Sequence, residues 1–349
     1  MQLFGAGSDQ IVALEVVLAN GRFVTATQTV NSDLYWAMLG GGGGTFGIIT
    51  SAVVKVHPEK VPVTTSSWTV MTSETVSAEA FWELVKFFWE SFPAYNDAKT
   101  YSWGSIMKLA PGTYMWSMNP FFATNKTIAE FETLTAPLFK KAAELNITIA
   151  ANTTHYDTMY PAYQATFATQ NYYIGGAGAI PGNRLVPTEN WANGAILNQT
   201  FAAVQNAVEK AMMLNLYHQH TADEFDKGVN SLNPAFRNLQ AQLVALKSVA
   251  DMTPVGWKTA DDALNNEIMA PLRETTPTGG AYGNEANVGE PDWQQAFWGK
   301  NYPRLLELKK KYDPTELFYV HHGVGSEGWV VQDNGIVGVQ STDGPLCRV

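Results

Sequence analysis

Five consecutive glycines, Gly40 to Gly44, stand out among the 29 glycines of this 349-residue chain. A glycine run commonly serves as a flexible linker. The flanks argue otherwise here, because Tyr35-Trp36 and Phe46 are bulky and Ile48-Ile49 opens a β-branched run. Glycines clamped between core elements suit a backbone that passes very close to something flat or charged. Gly42-x-Gly44-x-x-Gly47 formally matches a dinucleotide fingerprint. That fingerprint follows a strand and opens a helix, whereas this one opens a strand, so a nicotinamide Rossmann site is rejected. His218-x-His220 puts two imidazoles on one face of a predicted strand. With six histidines and no third ligand cluster, no metal is assigned, and a strand wall facing a polar pocket is the better reading. His321-His322 reads as an exposed or hydrogen-bonded pair. Tyr282-Gly283-Asn284-Glu285 reads locally as a turn. If extended, it would put a phenol and a carboxamide on one face, suited to gripping a planar polar ligand. No GxSxG elbow signals a serine hydrolase.

The elements that must position these residues fall into three stretches. The first is β-rich: Ile11 to Leu18, a hairpin turn at Asn20-Gly21, Arg22 to Thr27, a short helix over Leu34 to Leu39, and a strand from Phe46 to Val56. From about residue 60, strands and helices alternate. Val63 to Val70, the hairpin Tyr101 to Lys108 with Thr113 to Asn119, Asn171 to Ile180 and Met212 to His220 read as strands. Pro181-Gly182-Asn183 reads as a turn. Ser73 to Ser91, Thr127 to Leu145, Pro187 to Ala211, Pro234 to Leu246 and Trp257 to Arg273 read as helices. The third stretch opens with Asp292 as a helix cap and ends its helical pattern at Asp313-Pro314. The pattern is α+β, with an antiparallel sheet covered by helices in the middle.

Composition sets the outer bounds. Hydrophobic residues make up 46% and charged residues 15%, which excludes an extended disordered chain. A net charge of −10 without a basic cluster argues against nucleic acid or an anionic membrane as partner. One cysteine, Cys347, allows neither an intrachain disulfide nor a Cys-rich zinc site. Four sequons, at Asn125, Asn146, Asn152 and Asn198, point to a secreted glycoprotein. The first residues lack the basic and apolar regions of a signal peptide, so the chain is expected to be the later part of a longer protein.

Several blocks resemble the berberine bridge enzyme-like flavin oxidases, in the fungal branch of the vanillyl-alcohol oxidase superfamily. They are Gly7-Ser8-Asp9-Gln10 through Asn20-Gly21-Arg22, and Asn31-Ser32-Asp33-Leu34-Tyr35-Trp36-Ala37 with the glycine run and Phe46-Gly47-Ile48-Ile49-Thr50. Asn230 to Arg237 is a third. The tail is the most specific: Tyr282-x-Asn284-Glu285, Asp292-Trp293-Gln294, Phe297-Trp298-Gly299-x-Asn301-Tyr302, Lys309-x-Lys311-Tyr312-Asp313-Pro314 and Val324-Gly325-Ser326-Glu327. Two departures are Leu39, where the family usually has Arg, and Phe236, where Trp is common.

The resemblance implies part of a p-cresol methylhydroxylase-type FAD-binding domain at 1–58 and a substrate domain at 59–278. A segment at 279–335 would return to the FAD domain, and 336–349 would form a tail. FAD is the implied cofactor, with Gly41, Gly42, Gly43, Gly44, Phe46, Gly47, Ile48, Tyr282 and Asn284 beside it. Any covalent attachment residues would lie upstream of the block at which this chain starts, in a segment completing the FAD domain. The implied chemistry is hydride removal from an alcohol, sugar or secondary-metabolite carbon, with Tyr282 as the base and O2 as electron acceptor. The alternatives are a homologue that no longer binds FAD and an oxidative cyclase. Tyr114, Trp116, Tyr172, Tyr173, Tyr217 and His218 are candidates for lining the small-molecule substrate site by stacking, or for the core.

Overall fold

The computed structural model describes residues 1–57, 60–167, 178–222, 228–332 and 344–349. Tyr172, Tyr173 and most of the strand expected over 171–180 lie outside the described residues. Near the N-terminus β1 (Ile11–Val17) pairs antiparallel with β2 (Phe23–Thr27) and β3 (Ile48–Val54) in the order β2-β1-β3. The Asn20-Gly21 turn closes the hairpin, with Gly21 at φ +78°, which glycine adopts without a Cβ penalty. Helix α1 (Ser32–Met38) lies between β2 and β3 and buries Leu34, Tyr35, Trp36 and Ala37. Leu14 and Val16 meet that helix and Phe46, and the same core includes Trp298, Leu305 and Leu308 from the far end of the chain.

The second sheet has seven strands in the order β7-β4-β6-β5-β9-β10-β8, all neighbours antiparallel. They are β4 (Val63–Met71), β5 (Thr100–Ala110), β6 (Thr113–Thr124), β7 (Asn152–Tyr156), β8 (Ala179–Pro187), β9 (Met213–His218) and β10 (Leu239–Ser248). Helices α2 (Ala78–Glu90), α3 (Phe92–Asp97), α4 (Ile128–Glu144) and, after α5 (Met159–Thr166) and α6 (Glu189–Ala192), α7 (Gly194–Lys210) contribute to the packing. Farther on come α8 (Pro254–Ala263), a π-helix (Leu264–Met269) and α9 (Ala270–Thr275). Strand side chains alternate between faces. Ile106, Trp116, Met118, Leu214, Leu216, Ala241 and Leu243 therefore share one core with Phe81, Leu84, Phe88 and Trp89 of α2. Tyr217 and Gln242, a direct cross-strand pair, occupy the other face.

Three sequence expectations are corrected and a fourth is refined. Pro234 to Leu246 is not a helix: a 3-10 turn (Pro234–Phe236) leads into β10. The Leu, Gln and Ala of that stretch favour helix intrinsically, but pairing between β9 and β8, with Leu239 to Ala245 all buried, prevails. Pro181-Gly182-Asn183 is no turn and lies inside β8. β8 is an edge strand, where a missing N–H is tolerated, and a Cβ on Gly182 would meet Met269 at 2.8 Å. The helix expected over Pro187 to Ala211 is broken at Asn193, whose side chain caps α7. Asp292 takes the expected N-cap position of α10 (Trp293–Trp298), but in a left-handed conformation and without the side-chain bond of a capping box. α11 (Tyr302–Tyr312) follows, and β11 (Trp329–Val331) pairs with β12 (Leu346–Arg348).

Candidate cofactor and substrate site

The glycine loop between α1 and β3 is pinned from several sides. A Cβ on Gly40 would lie 2.3 Å from the Ser231 carbonyl carbon, and one on Gly41 would lie 2.5 Å from the Ala37 oxygen and 2.6 Å from Phe46. Trp298 Nε1 donates to the Gly40 oxygen at 3.1 Å. The buried Lys309 ammonium donates to the Thr45 oxygen at 2.8 Å, the Phe318 oxygen at 2.7 Å and the Asp313 carboxylate at 2.6 Å. That charge is thus both paired and fully hydrogen-bonded, as burial demands. Lys311 and Tyr312 bind Asp33 of α1, fixing α11 against the helix that delivers the loop. The result is a loop held from behind whose front is bare: Gly43 and Gly44 have nothing within 4 Å of a Cβ position.

The front of the loop faces the turn at 282–285. Ala281 N donates to the Ala296 oxygen, and Tyr282 N donates to Asn183 Oδ1 at 2.8 Å, so α10 and β8 together place Tyr282. Asn284 Nδ2 donates to the Tyr282 hydroxyl oxygen at 2.8 Å. Phenol and carboxamide thus share one side through a turn, not through an extended segment. Phe236 packs edge-on to the Tyr282 ring at 5.5 Å, so the departure at this position touches the site and is not confined to the core. Farther along, Asn287 donates to Asp261 at 2.5 Å, and Arg273 lies 3.5 Å from the buried Glu290, clamping 285–290 onto α8 and α9.

Loop and turn enclose a cavity of about 370 Å³ lined by Gly40, Gly42, Gly43, Tyr282, Asn284 and Trp298, among others. His321 and His322 also line it. His322 stacks on Trp293 at 4.9 Å and on His321 at 4.2 Å, so the pair is a ring stack at the cavity; His321 is exposed and bonded to the Val288 backbone, in keeping with the expectation of an exposed or hydrogen-bonded pair. Burial, reinforced by His321, lowers the His322 pKa to about 4, and burial lowers that of His321. Among the described residues, no group of three or more His, Cys, Asp or Glu side chains could hold a metal.

The structure divides the residues singled out in the sequence. Gly42, Gly43, Tyr282 and Asn284 meet at the cavity, and Gly44 adjoins it with its front open. Gly41 and Phe46 face the core behind the loop, Gly47 packs on Val16 and Val17, and Ile48 is exposed on β3. Tyr114, Trp116 and His218 do not line the cavity. Tyr114 packs on Phe81 and Trp82 and binds Glu209 of α7. Trp116 is enclosed by Trp68 and Phe88. His218 sits among Phe88, Phe92, Tyr95 and Phe121, bonded to Thr100 Oγ1 at 3.0 Å, and burial lowers its pKa to about 3. His220 lies beyond the strand with Nδ1 against the Leu239 oxygen, so the two imidazoles form no shared site. Tyr217 alone of the described group lies on the other face, beside Tyr101 and Trp103. Gln242 and Asn183, missed in the sequence, join it there with Glu285 of the Tyr282-x-Asn284-Glu285 motif; alternation in β10 was the signal for Gln242 that a helical reading concealed.

Residues 281–325 match the family described as berberine and berberine like. The chain is 31% identical over 354 residues to the FAD-linked oxidoreductase sor8 of Hypocrea jecorina, covering 99% of this chain and 56% of that protein. It is 33% identical over 355 residues to the FAD-linked oxidoreductase patO of Aspergillus clavatus, covering 99% of this chain and 58% of that one. The chain thus spans somewhat more than half the length of these curated relatives. Among solved structures, the VAO-type flavoprotein MtVAO615 of Myceliophthora thermophila C1 is similar over 100% of this chain and 61% of its own, with a TM-score of 0.84 and 27% identity. The bare glycine loop facing a Tyr-x-Asn turn and the matched C-terminal segment agree: this chain belongs to the berberine bridge enzyme-like branch of the VAO-type flavoproteins, a family of FAD-linked oxidoreductases.

Proposed function

We propose that the chain supplies one wall of the FAD site and the substrate face of an FAD-dependent oxidase. One observation carries this reading: the backbone of Gly40, Gly42 and Gly43, open at Gly43, and the Tyr282–Asn284 pair line a single cavity. The residues fit a flavin. Absent side chains at Gly43 and Gly44 let a flat ring approach the main chain, Trp298 and Phe236 supply apolar contact, and Tyr282 and Asn284 supply polar edges. FAD held there would accept a hydride from an alcohol, sugar or secondary-metabolite carbon and return the electrons to O2 as H2O2. Tyr282 is the proposed base for the substrate hydroxyl proton, with Asn284 fixing its position. Tyr217 is retained as a substrate-facing residue. The division into 1–58, 59–278, 279–335 and 336–349 belongs to the same proposal.

Two surface features extend it. β3 is rich in Val and Ile yet exposed throughout, Ile48 at 56% and Val53 at 56%, and Val12 and Phe23 of the same sheet are exposed as well. So large an apolar face suits a covering segment, here a further part of the FAD domain. All four sequon asparagines are exposed, which suits a secreted glycoprotein. Among the described residues no helix is long and apolar enough to cross a membrane.

The full-length protein is expected to show a flavin absorbance band and to release peroxide with at least one alcohol substrate. Tyr282→Phe should keep the band and slow flavin reduction by about 10²- to 10⁴-fold, the usual range for a lost acid–base group. Wild-type reduction in that variant would remove the base assignment, and a full-length protein without flavin would remove the oxidase reading.

A further inference from the structure

Beside the cavity, the face of the seven-stranded sheet opposite the aromatic core holds a carboxylate without a cation; its chain neighbours Asn284 and Ala286 line the cavity. Glu285 directly follows Asn284, and its Oε2 accepts a hydrogen bond from Gln242 Nε2 at 2.7 Å, with Asn183 Nδ2 at 3.5 Å. The two amides come from the adjacent strands β10 and β8, and Gln242 stands directly opposite Tyr217. Asn183 also receives the Tyr282 N–H, so one side chain anchors both Tyr282 and Glu285. Among the described residues Glu285 makes no salt bridge, and its Oε1 has no hydrogen-bond partner. A half-buried carboxylate is ordinarily paired with Lys or Arg, because desolvating it alone is costly. Burial accordingly raises the Glu285 pKa, against a smaller opposing effect of the Gln242 bond. Neutral amides hold one oxygen in place and leave the other available.

We infer that Glu285 is a substrate-binding residue whose free oxygen accepts a hydrogen bond from a hydroxyl group, selecting neutral hydroxylated ligands over carboxylates. The inference rests on the oxidase reading of this site. An ionised carboxylate only accepts, and its bonds to donors are among the stronger ones. The same charge repels an anionic ligand, with little screening where water is partly excluded.

The test uses the full-length protein and two ligand pairs, glucose with gluconate and 4-hydroxybenzyl alcohol with 4-hydroxybenzoate. Affinity is read from the flavin band and, independently of any flavin, from tryptophan fluorescence. The wild type should bind at least one alcohol more tightly than its paired acid. Glu285→Gln should weaken that alcohol by roughly tenfold or more and narrow the preference, while the flavin band is kept and KM moves more than kcat. Glu285→Asp should keep part of the preference. Unchanged affinity in Glu285→Gln, or no alcohol binding in the wild type, would overturn the inference. Loss of fold or flavin in both variants would also overturn it, making the carboxylate structural. Fluorescence binding that depends on Glu285 in a protein without flavin would support it while removing the oxidase reading.

Discussion

The two faces of the seven-stranded sheet use the same strands for opposite ends. One face joins Trp116, Met118, Leu216 and Leu243 to the helices in an aromatic-rich core. The other carries Tyr217, Gln242 and Asn183 beneath the Tyr282–Glu285 turn. Tyr217 and His218 are consecutive, and a single step along β9 moves from one environment to the other. The lesson is that a residue's type says little about its role until its parity in the strand is known. The contrast is most directly broken at Trp116, which is fully buried. Trp116→Ala is expected to cost about 3–5 kcal/mol, read as a lowered unfolding midpoint. A loss below about 1 kcal/mol would show that this face is not the core.

The glycine run repeats the contrast within five residues. Gly41 turns toward the packed side, where a methyl group would collide with the Ala37 oxygen, Phe46 and Leu305. Two of those neighbours are backbone or a buried ring, so they cannot move aside cheaply. Gly41→Ala is expected to destabilise by about 1–3 kcal/mol, the usual cost of overpacking, in chemical denaturation. An unchanged midpoint would mean that the loop is not held from behind as the structure shows.

Much of this was legible in the sequence, for physical reasons that differ by region. Strand alternation and the Asn20-Gly21 turn disclosed the small sheet, and the bulky flanks of the glycines disclosed a tight passage. The Tyr-x-Asn motif pointed to the site, although its geometry comes from a turn bonded to Asn183, ninety-nine positions away. What stayed hidden depended on tertiary context. The helix-forming residues of β10 concealed its alternation, and with it Gln242. Tyr114, Trp116 and His218 looked like ring platforms because aromatics serve cores and binding sites equally well. Neither the stacking of His322 on Trp293 nor the edge contact of Phe236 with Tyr282 follows from any local pattern.

His218 offers a subtler probe of the core face. In the unfolded chain an imidazole titrates near 6.5, whereas burial holds this one at about 3, and its Nδ1 has no partner. Between those values the unfolded state binds the proton and the folded state does not, so stability falls as pH drops from 6.5 toward 3. His218→Leu is expected to flatten that part of the acid limb in urea midpoints measured from pH 7 to pH 4. An identical slope would show that His218 takes up its proton in the folded protein and does not belong to the dry face.

The smallest expected effect on stability is at Gly43, and it separates site from scaffold most sharply. No atom lies within 4 Å of a Cβ there, so the fold should accept a methyl group within about 0.5 kcal/mol. The added carbon would stand where the loop faces the cavity, so the cost should appear in the ligand. Gly43→Ala in the full-length protein is expected to hold its unfolding midpoint when stripped of flavin and to bind flavin more weakly, read by release of flavin fluorescence on dilution. Equal flavin retention by Gly43→Ala and the wild type would mean that the bare front of the loop is not the cofactor wall. Two glycines separated by one residue would then owe their presence to the same packing constraint, and the division between core and site would have to be sought in the turn at Tyr282 alone.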